Sequence, residues 1–249
     1  MAVSVREPFG IARGAASVAA VTGRPVGVGL GTSSRRVVEG VHGVPRARPA
    51  AAMEGSGAAL RVFLHGRPGE PPVVPGSVFP RRLPPPGGPL TVAPFGDRAI
   101  AAAAAHADRM LLDIVSPEQV RTLRGKLEAA ATRAGRTSPP TPAAWLPAAV
   151  DPDPDSLAQV LRGIAGYLTV PGYSDMFEAA GFGEAVEPAR TGADPGTPVR
   201  ALPPRRRAWS AWWATWTPYA RVPRRTPTQD WTRSPPCWRR RATRAGSGR

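Results

Sequence analysis

Residues 90–120, LTVAPFGDRAIAAAAAHADRMLLDIVSPEQV, constrain the fold more than any other stretch of this chain. Leu90 to Phe95 (LTVAPF) is a short apolar run of strand type, Gly96 breaks it, Asp97 suits a helix N-cap, and 98–107 is an alanine-rich helix. Met110 to Val115 (MLLDIV) reads as a second strand. Three signals then open a helix: Ser116 as cap, Pro117 at the first helical position, and Gln119 completing a capping box. Val120, Leu123 and Leu127 form its apolar stripe, and Gly135 is its stop. Strands joined through helices lie parallel, with right-handed crossovers. The chain is therefore expected to be α/β, built on a parallel sheet.

The flanking segments repeat the alternation. Residues 2–5 (AVSV) resemble a strand end, 8–20 a small-residue helix, and Pro25 to Gly31 (PVGVGLG) a buried parallel strand running into a glycine turn. A weak helix follows at 50–65, then a Pro/Gly-rich insert at 66–89, too long for an ordinary connection. Ala143 to Val150 (AAWLPAAV) is a further strand in which Pro147 demands a bulge or an unpaired position. Asp155 caps a helix carrying Leu157, Val160, Leu161, Ile164 and Leu168, and a short helix at 173–180 ends at Gly181. About five strands result, whereas a (β/α)8 barrel needs eight. The expected architecture is thus a partial barrel whose first strands are missing, with unpaired backbone groups along two edges and a tendency to aggregate.

The last quarter has a different texture. Six of the seven tryptophans fall within residues 209–249, among clusters such as RRRAWSAWWATW and PPCWRRR. One Lys (Lys126) stands against 32 Arg, and there is no Asn, which marks a coding sequence rich in G and C. Under such codon usage, moving the frame back one nucleotide turns Ala208 to Arg221 into Gly-Leu-Val-Gly-Val-Val-Gly-Asp-Val-Asp-Ala-Val-Arg-Ala. The same shift turns Pro227 to Trp238 into Ala-Asp-Ala-Gly-Leu-Asp-Glu-Val-Ala-Ala-Val-Leu. These read as a strand, a glycine turn and an acid-capped helix, then a helix end and a buried strand. The tail is expected to be out of frame from between about Pro195 and Ala208, dividing the chain into a barrel fragment (1–199) and a disordered basic tail (200–249).

Charge follows that division: residues 200–249 carry 13 Arg and one acid, out of a whole-chain net of +15. Clustered Arg beside Trp would normally suggest nucleic acid, through phosphate neutralisation and base stacking. A missense tail explains the same residues, so nucleic-acid binding is kept only as the rival reading. Cys237 is the only cysteine, which excludes an intrachain disulfide and a Cys-based metal site. No run of about 18 apolar residues exists to span a membrane, and MAVSVREPFGIARGAASVAAV lacks the uninterrupted apolar core of a secretory signal. A cytoplasmic protein is the expectation.

The block RPVGVGLGTSSRRVVEGVHGVP, followed by an Arg/Ala helix, resembles the bacterial-luciferase-like, coenzyme F420-dependent oxidoreductases, in which a GLGTSS-type strand end leads into a VEGWHG-type loop. Residues 90–120 and AAWLPAAVDPDPDSLAQVLRGIAGYLTVPGY look like later βα units of that family, and the back-shifted tail looks like its LVGD…VRAR…YADAGLDEV ending. The in-frame resemblance covers about residues 2–195. It implies a luciferase-like TIM barrel that binds a deazaflavin, often as a homodimer, and moves hydride to or from a small organic substrate. A relative using FMN as a monooxygenase is the alternative.

Residue types at the strand ends suit that chemistry. Gly29 and Gly31 let backbone approach a flat ring, and Thr32, Ser33 and Ser34 offer hydroxyls and N–H donors at the barrel mouth. Glu39 and His42 are the acid/base candidates for a hydride transfer that needs a proton partner; the resemblance implies that the acid of the VEG-type loop, Glu39, lies near the ring. Val41 stands where the family usually carries Trp. The resemblance assigns a phosphate to the Phe95-Gly96-Asp97 turn, where a helix begins with exposed N–H groups. Asp97, often Pro in relatives, would repel it, and Arg98 is the residue expected to offset that charge. Asp151, Asp153 and Asp155 alternate with prolines and read as a turn and cap, not a metal site. His65 and His106 show no ligand spacing.

Overall fold

The computed structural model describes residues 1–65, 85–147, 153–194 and 196–202. Most of the expected insert at 66–89, Asp151, and the Arg/Trp tail from 203 onward lie outside the described residues.

Helix α1 (Pro8–Thr22) starts with its proline in the first turn and stops at Gly23, whose φ of 66° suits a residue without Cβ. It delivers the chain to β1 (Val26–Gly31), and a π-helical turn (Arg36–Val41) and α2 (Pro49–His65) follow. Then come β2 (Gly87–Ala93), α3 (Asp97–His106), β3 (Arg109–Asp113), α4 (Pro117–Arg133) and β4 (Thr141–Trp145). The strands form one sheet in the order β1-β2-β3-β4, parallel throughout, as the strand–helix alternation requires.

Alternation along each strand sorts its side chains between the two faces. Val28, Leu30, Leu90 and Val92 point toward α1, α2 and α3, packing with Ile11, Met53, Leu60, Leu64 and Ala103. Met110 and Leu112 continue that face against Ile100, Leu127 and Ala131. Each fully buried Leu or Met contributes about 1.5–3 kcal/mol, so this helix-covered face dominates the stability of the layer. The opposite face is open where β1 carries Gly27 and Gly29, both exposed. Backbone N–H and C=O groups on the free side of β1 are met by residues 1–3: the Met1 amino group donates to Gly29 O at 2.8 Å and Val3 N to Gly31 O at 3.0 Å.

After β4 the chain forms α5 (Pro154–Ala165), α6 (Tyr173–Ala179), α7 (Gly183–Arg190) and α8 (Gly196–Ala201). These build a second apolar cluster in which Leu161, Ile164, Leu168, Phe177, Val186 and Leu202 surround Ile114, the residue that follows β3. The packed core therefore reaches Leu202.

Several boundaries differ from the sequence reading for local reasons. The strand expected at 143–150 occupies Thr141–Trp145 and ends before Pro147, which has no N–H to donate to a ladder. Gly96, not Asp97, is the N-cap of α3: its φ of 81° makes the turn, and Asp97 becomes the first helical residue. Asp153, not Asp155, caps α5, accepting the Ser156 N–H at 2.7 Å with Pro154 at the first position. Residues 2–5 contribute a single bridge, Ala2 to Gly31. The capping box at α4 forms as expected, with Ser116 N donating to Gln119 Oε1 at 2.8 Å and Gln119 N to Ser116 Oγ at 3.2 Å.

Candidate active site

The carboxyl ends of β1, β2 and β3 open into a cavity of about 740 Å³, roofed by the segment joining α5 to α6 and by α6 itself. In parallel sheets this is the end where loops diverge and ligands bind. The register explains the cavity's floor. Gly31 pairs with Ala93, so the two strands end on the smallest side chains available and leave space above them. A Cβ built on Gly29 meets nothing within 4 Å, and one on Gly31 meets only Ala93 Cβ at 3.9 Å. Packing among the described residues does not demand glycine at either position.

The first wall is Thr32, Ser33 and Ser34. Ser33 adopts φ 55°, a left-handed conformation uncommon for a residue with a Cβ. It is held by Arg46, whose Nε donates to Ser33 O at 3.0 Å while Nη2 donates to Thr32 Oγ1 at 3.3 Å. The guanidinium thereby stands beside the hydroxyls at the mouth.

The second wall is the turn after β2. Phe95, Gly96 and Asp97 all line the cavity, and no side chain caps the start of α3. Among the described residues its first N–H groups are thus left to meet an anion. The Asp97 carboxylate is balanced by Lys126, the chain's one lysine, with Nζ to Oδ1 at 2.8 Å. Lys126, not Arg98, thus fills the neutralising role expected from the sequence, because α4 packs beside α3 and brings it there.

The third wall was not anticipated. Asp113 ends β3 and faces the cavity, where Tyr173 of α6 donates its phenol to Oδ2 at 3.0 Å. Tyr167 lines the same cavity, with its ring 4.9 Å from that of Tyr173, and Phe95 lies 5.0 Å from Tyr173 on the other side. Burial pushes the Asp113 carboxyl above the usual carboxylate range, partly countered by hydrogen bonds from Tyr173 and Tyr167. Burial, followed by the adjacent carboxylate, pushes both phenols upward as well. A strand-terminal Asp in MLLDIV was the available sequence signal; the tyrosines that meet it lie more than 50 residues downstream.

The structure gathers most of the expected residues at the cavity and leaves Gly29, Glu39 and His42 outside its lining. Gly31, Thr32, Ser33, Ser34, Phe95, Gly96 and Asp97 come together around the cavity. Gly29 sits one turn of the pleat below it on the same face. Glu39 and His42 are not among the lining residues: Glu39 lies on the π-helical turn, accepts the Arg46 backbone N–H at 3.2 Å and stands 3.7 Å from Arg35. His42 is exposed at the end of that turn. Asp153 is engaged in its cap, and no cluster of three potential metal ligands occurs among the described residues. His65 is tied to Asp108 at 3.4 Å at the opposite end of the sheet. No helix among the described residues is long and apolar enough to cross a membrane.

The profile of the luciferase-like monooxygenase family matches residues 1–213. Among solved structures, the coenzyme F420-dependent tetrahydromethanopterin reductase from Methanopyrus kandleri is similar, with a TM-score of 0.60 at 19% identity. That likeness is one of fold, and it covers 80% of this chain and 64% of the reductase. No curated protein matches the chain.

Proposed function

This chain belongs to the luciferase-like monooxygenase family, and we propose that it is an oxidoreductase that uses a deazaflavin of the F420 type to exchange hydride with a small organic substrate. The observation that carries the reading is the joint character of the cavity: small residues where β1 and β2 end, an aromatic wall and an anion-binding rim.

The residues fit such a group in three places. Above Gly31 and Ala93 a flat ring finds room that any larger side chain would fill. Phe95 and Tyr173 present apolar ring surface beside that floor. At the rim, the uncapped start of α3 and the cations Arg46 and Lys126 would hold a phosphate. When bound, the deazaflavin supplies a hydride donor or acceptor at one ring carbon. The protein's own contribution is orientation and exclusion of water: Arg46 fixes the Ser33 turn, and the α5–α6 segment covers the ring site. The fold of the F420-dependent reductase favours a deazaflavin; the family's monooxygenase description favours FMN as the second reading.

Titration of the purified chain with oxidised F420 and, separately, with FMN tests the choice, each followed by its intrinsic fluorescence. Saturable binding of F420 at least tenfold tighter than FMN is the expected result. Preference for FMN transfers the reading to the monooxygenase branch, and binding of neither overturns it.

A further inference from the structure

Resting on the oxidoreductase reading above, we infer that Asp113 is the proton donor of this cavity and that Tyr173 and Tyr167 are the positioning residues that hold its carboxyl toward the substrate.

Three independent features of the geometry converge on Asp113. Its side chain ends β3 at the cavity floor, beside the space over Gly31 and Ala93 that the ring would occupy. Two phenols from another part of the chain close on it, Tyr173 at 3.0 Å through Oδ2. The backbone immediately after it is strained: Ile114 adopts φ 50°, a genuine outlier for a β-branched residue. Such strain persists only where the surroundings over-determine it. Here Ile114 is 4% exposed within the second apolar cluster, and its N–H donates to Trp145 O at 3.1 Å. The fold thus holds an unfavourable turn whose effect is to end β3 with Asp113 facing inward.

Among the described residues no competing acid reaches this place. Asp97 lines the same cavity but is neutralised by Lys126 at the rim, while Arg46 is committed to Ser33 and Thr32. Glu39 is bound to the Arg46 backbone outside the cavity. Among the described residues the side-chain partners of Asp113 are the two phenols, with no cation among the groups that set its charge. Burial makes the Asp113 carboxyl keep its proton to higher pH than a solvated one, partly countered by the two phenols, and the protonated form is the state a donor requires.

The step balances for a carbonyl substrate. The carbonyl carbon accepts a hydride from the reduced deazaflavin, the C=O π pair moves onto oxygen, and the Asp113 proton forms the O–H bond of an alcohol. The Asp113 carboxylate that remains accepts hydrogen bonds from Tyr173 and Tyr167 and is reprotonated from solvent. In the reverse direction the same carboxylate removes the alcohol proton.

Infrared difference spectra of the full chain, recorded through a pH titration without cofactor, test the assignment directly. The wild type should show a protonated-carboxyl stretch that disappears above the ordinary aspartate range. Asp113→Asn should abolish that band. Tyr173→Phe should move its midpoint upward, because a hydrogen bond to the charged form is lost; a purely structural role would leave the midpoint in place. A band that survives Asp113→Asn, or no such band in the wild type, overturns the proposal. In the loaded enzyme, single-turnover hydride transfer should fall about 10²–10⁴-fold in Asp113→Asn with F420 affinity within about threefold of wild type; an unchanged rate also overturns it. Failure of the wild type to bind F420 refutes the cofactor reading alone, and the infrared midpoints then decide for or against Asp113.

Discussion

The Tyr173 phenol donates to Asp113 Oδ2 at 3.0 Å across 60 residues of chain, joining the end of β3 to the start of α6. This bond links the helix-covered sheet to the α5–α8 cluster at the place where the cavity opens. Polar groups taken from water need partners, and this pair supplies them without a cation. Asp113 is consequently a residue that function can favour while stability does not.

That conflict has a measurable sign. Burial raises the Asp113 pKa in the folded chain above its unfolded value of 3.8. Its contribution to stability is then fully present below that unfolded value and is lost as pH rises through the folded one. Above the unfolded value this cost grows with pH, and Asp113→Asn, which can still accept from Tyr173, relieves it. The variant should melt a few degrees higher than wild type at pH 7, the size of shift that about 1 kcal/mol produces in a domain of 150–250 residues. The gap should close as the pH is taken toward 4 in the same scanning-calorimetry series. A lower melting temperature at pH 7 would mean that the carboxylate is net stabilising.

Lys126 and Asp97 meet at 2.8 Å on the rim, both substantially exposed, so their mutual attraction adds at most about 1 kcal/mol to stability. On an incoming phosphate the two charges act in opposite directions and offset one another, so removing either one uncovers the other. Asp97→Asn should tighten F420 binding about 3–10-fold at low salt, and Lys126→Gln should loosen it by a similar factor. Both differences should shrink in 0.5 M salt. Equal affinities across the three proteins would place the phosphate away from the α3 N-terminus.

The sheet and its flanking helices were legible because their signals are local. A capping box, a glycine stop and an alternating strand each need only a few neighbouring residues, and Ser116 to Gln119 adopts the cap those residues specify. The β1 and β2 turns were legible for the same reason: Gly31 to Ser34 and Phe95 to Asp97 follow strands directly. Asp113 was not, since its character depends on Tyr167 and Tyr173 arriving from beyond β4. Glu39 and His42 stand outside the cavity lining for a local reason. Their side-chain chemistry suggested acid and base, but the π-helical turn directs Glu39 to the Arg46 N–H. Helices α7 and α8 are short, with Pro188 inside α7, and gave no periodic pattern long enough to read.

The reading frame of the tail is open to a test that needs no protein. The family match ends at residue 213, past the interval 195–208 in which the frame is expected to change. Because Trp has one codon, six of them within residues 209–249 fix many bases of the coding strand. Sequencing the gene should show the back-shifted frame open through at least the codons of Trp238 and carrying the Gly-Leu-Val-Gly and Gly-Leu-Asp-Glu-Val segments. A stop codon in that frame before Trp238 would restore the Arg/Trp tail as intended sequence, and with it the nucleic-acid reading. Salt-sensitive RNA or DNA binding that vanishes on deleting residues 200–249 would then be the expected result.

Gly172 carries the roof of the cavity onto Phe95, and its replacement separates two effects that act together there. Its φ is 86°, which costs a residue with a Cβ roughly 1 kcal/mol or more, and an added methyl would overlap Phe95 Cε1 and lie 2.7 Å from Cζ. The ring must then move off the Tyr173 face, from which its centroid is 5.0 Å. Gly172→Ala should therefore destabilise the chain by about 1–3 kcal/mol and weaken F420 binding as well. In a Phe95→Ala background the overlap is gone and only the backbone strain remains, so the same substitution should cost less by about 0.5–3 kcal/mol, read as the coupling in a double-mutant cycle of urea unfolding. Additive costs would mean that Phe95 does not pack under Gly172, and the aromatic wall on which the ring site depends would have to be rebuilt from other residues.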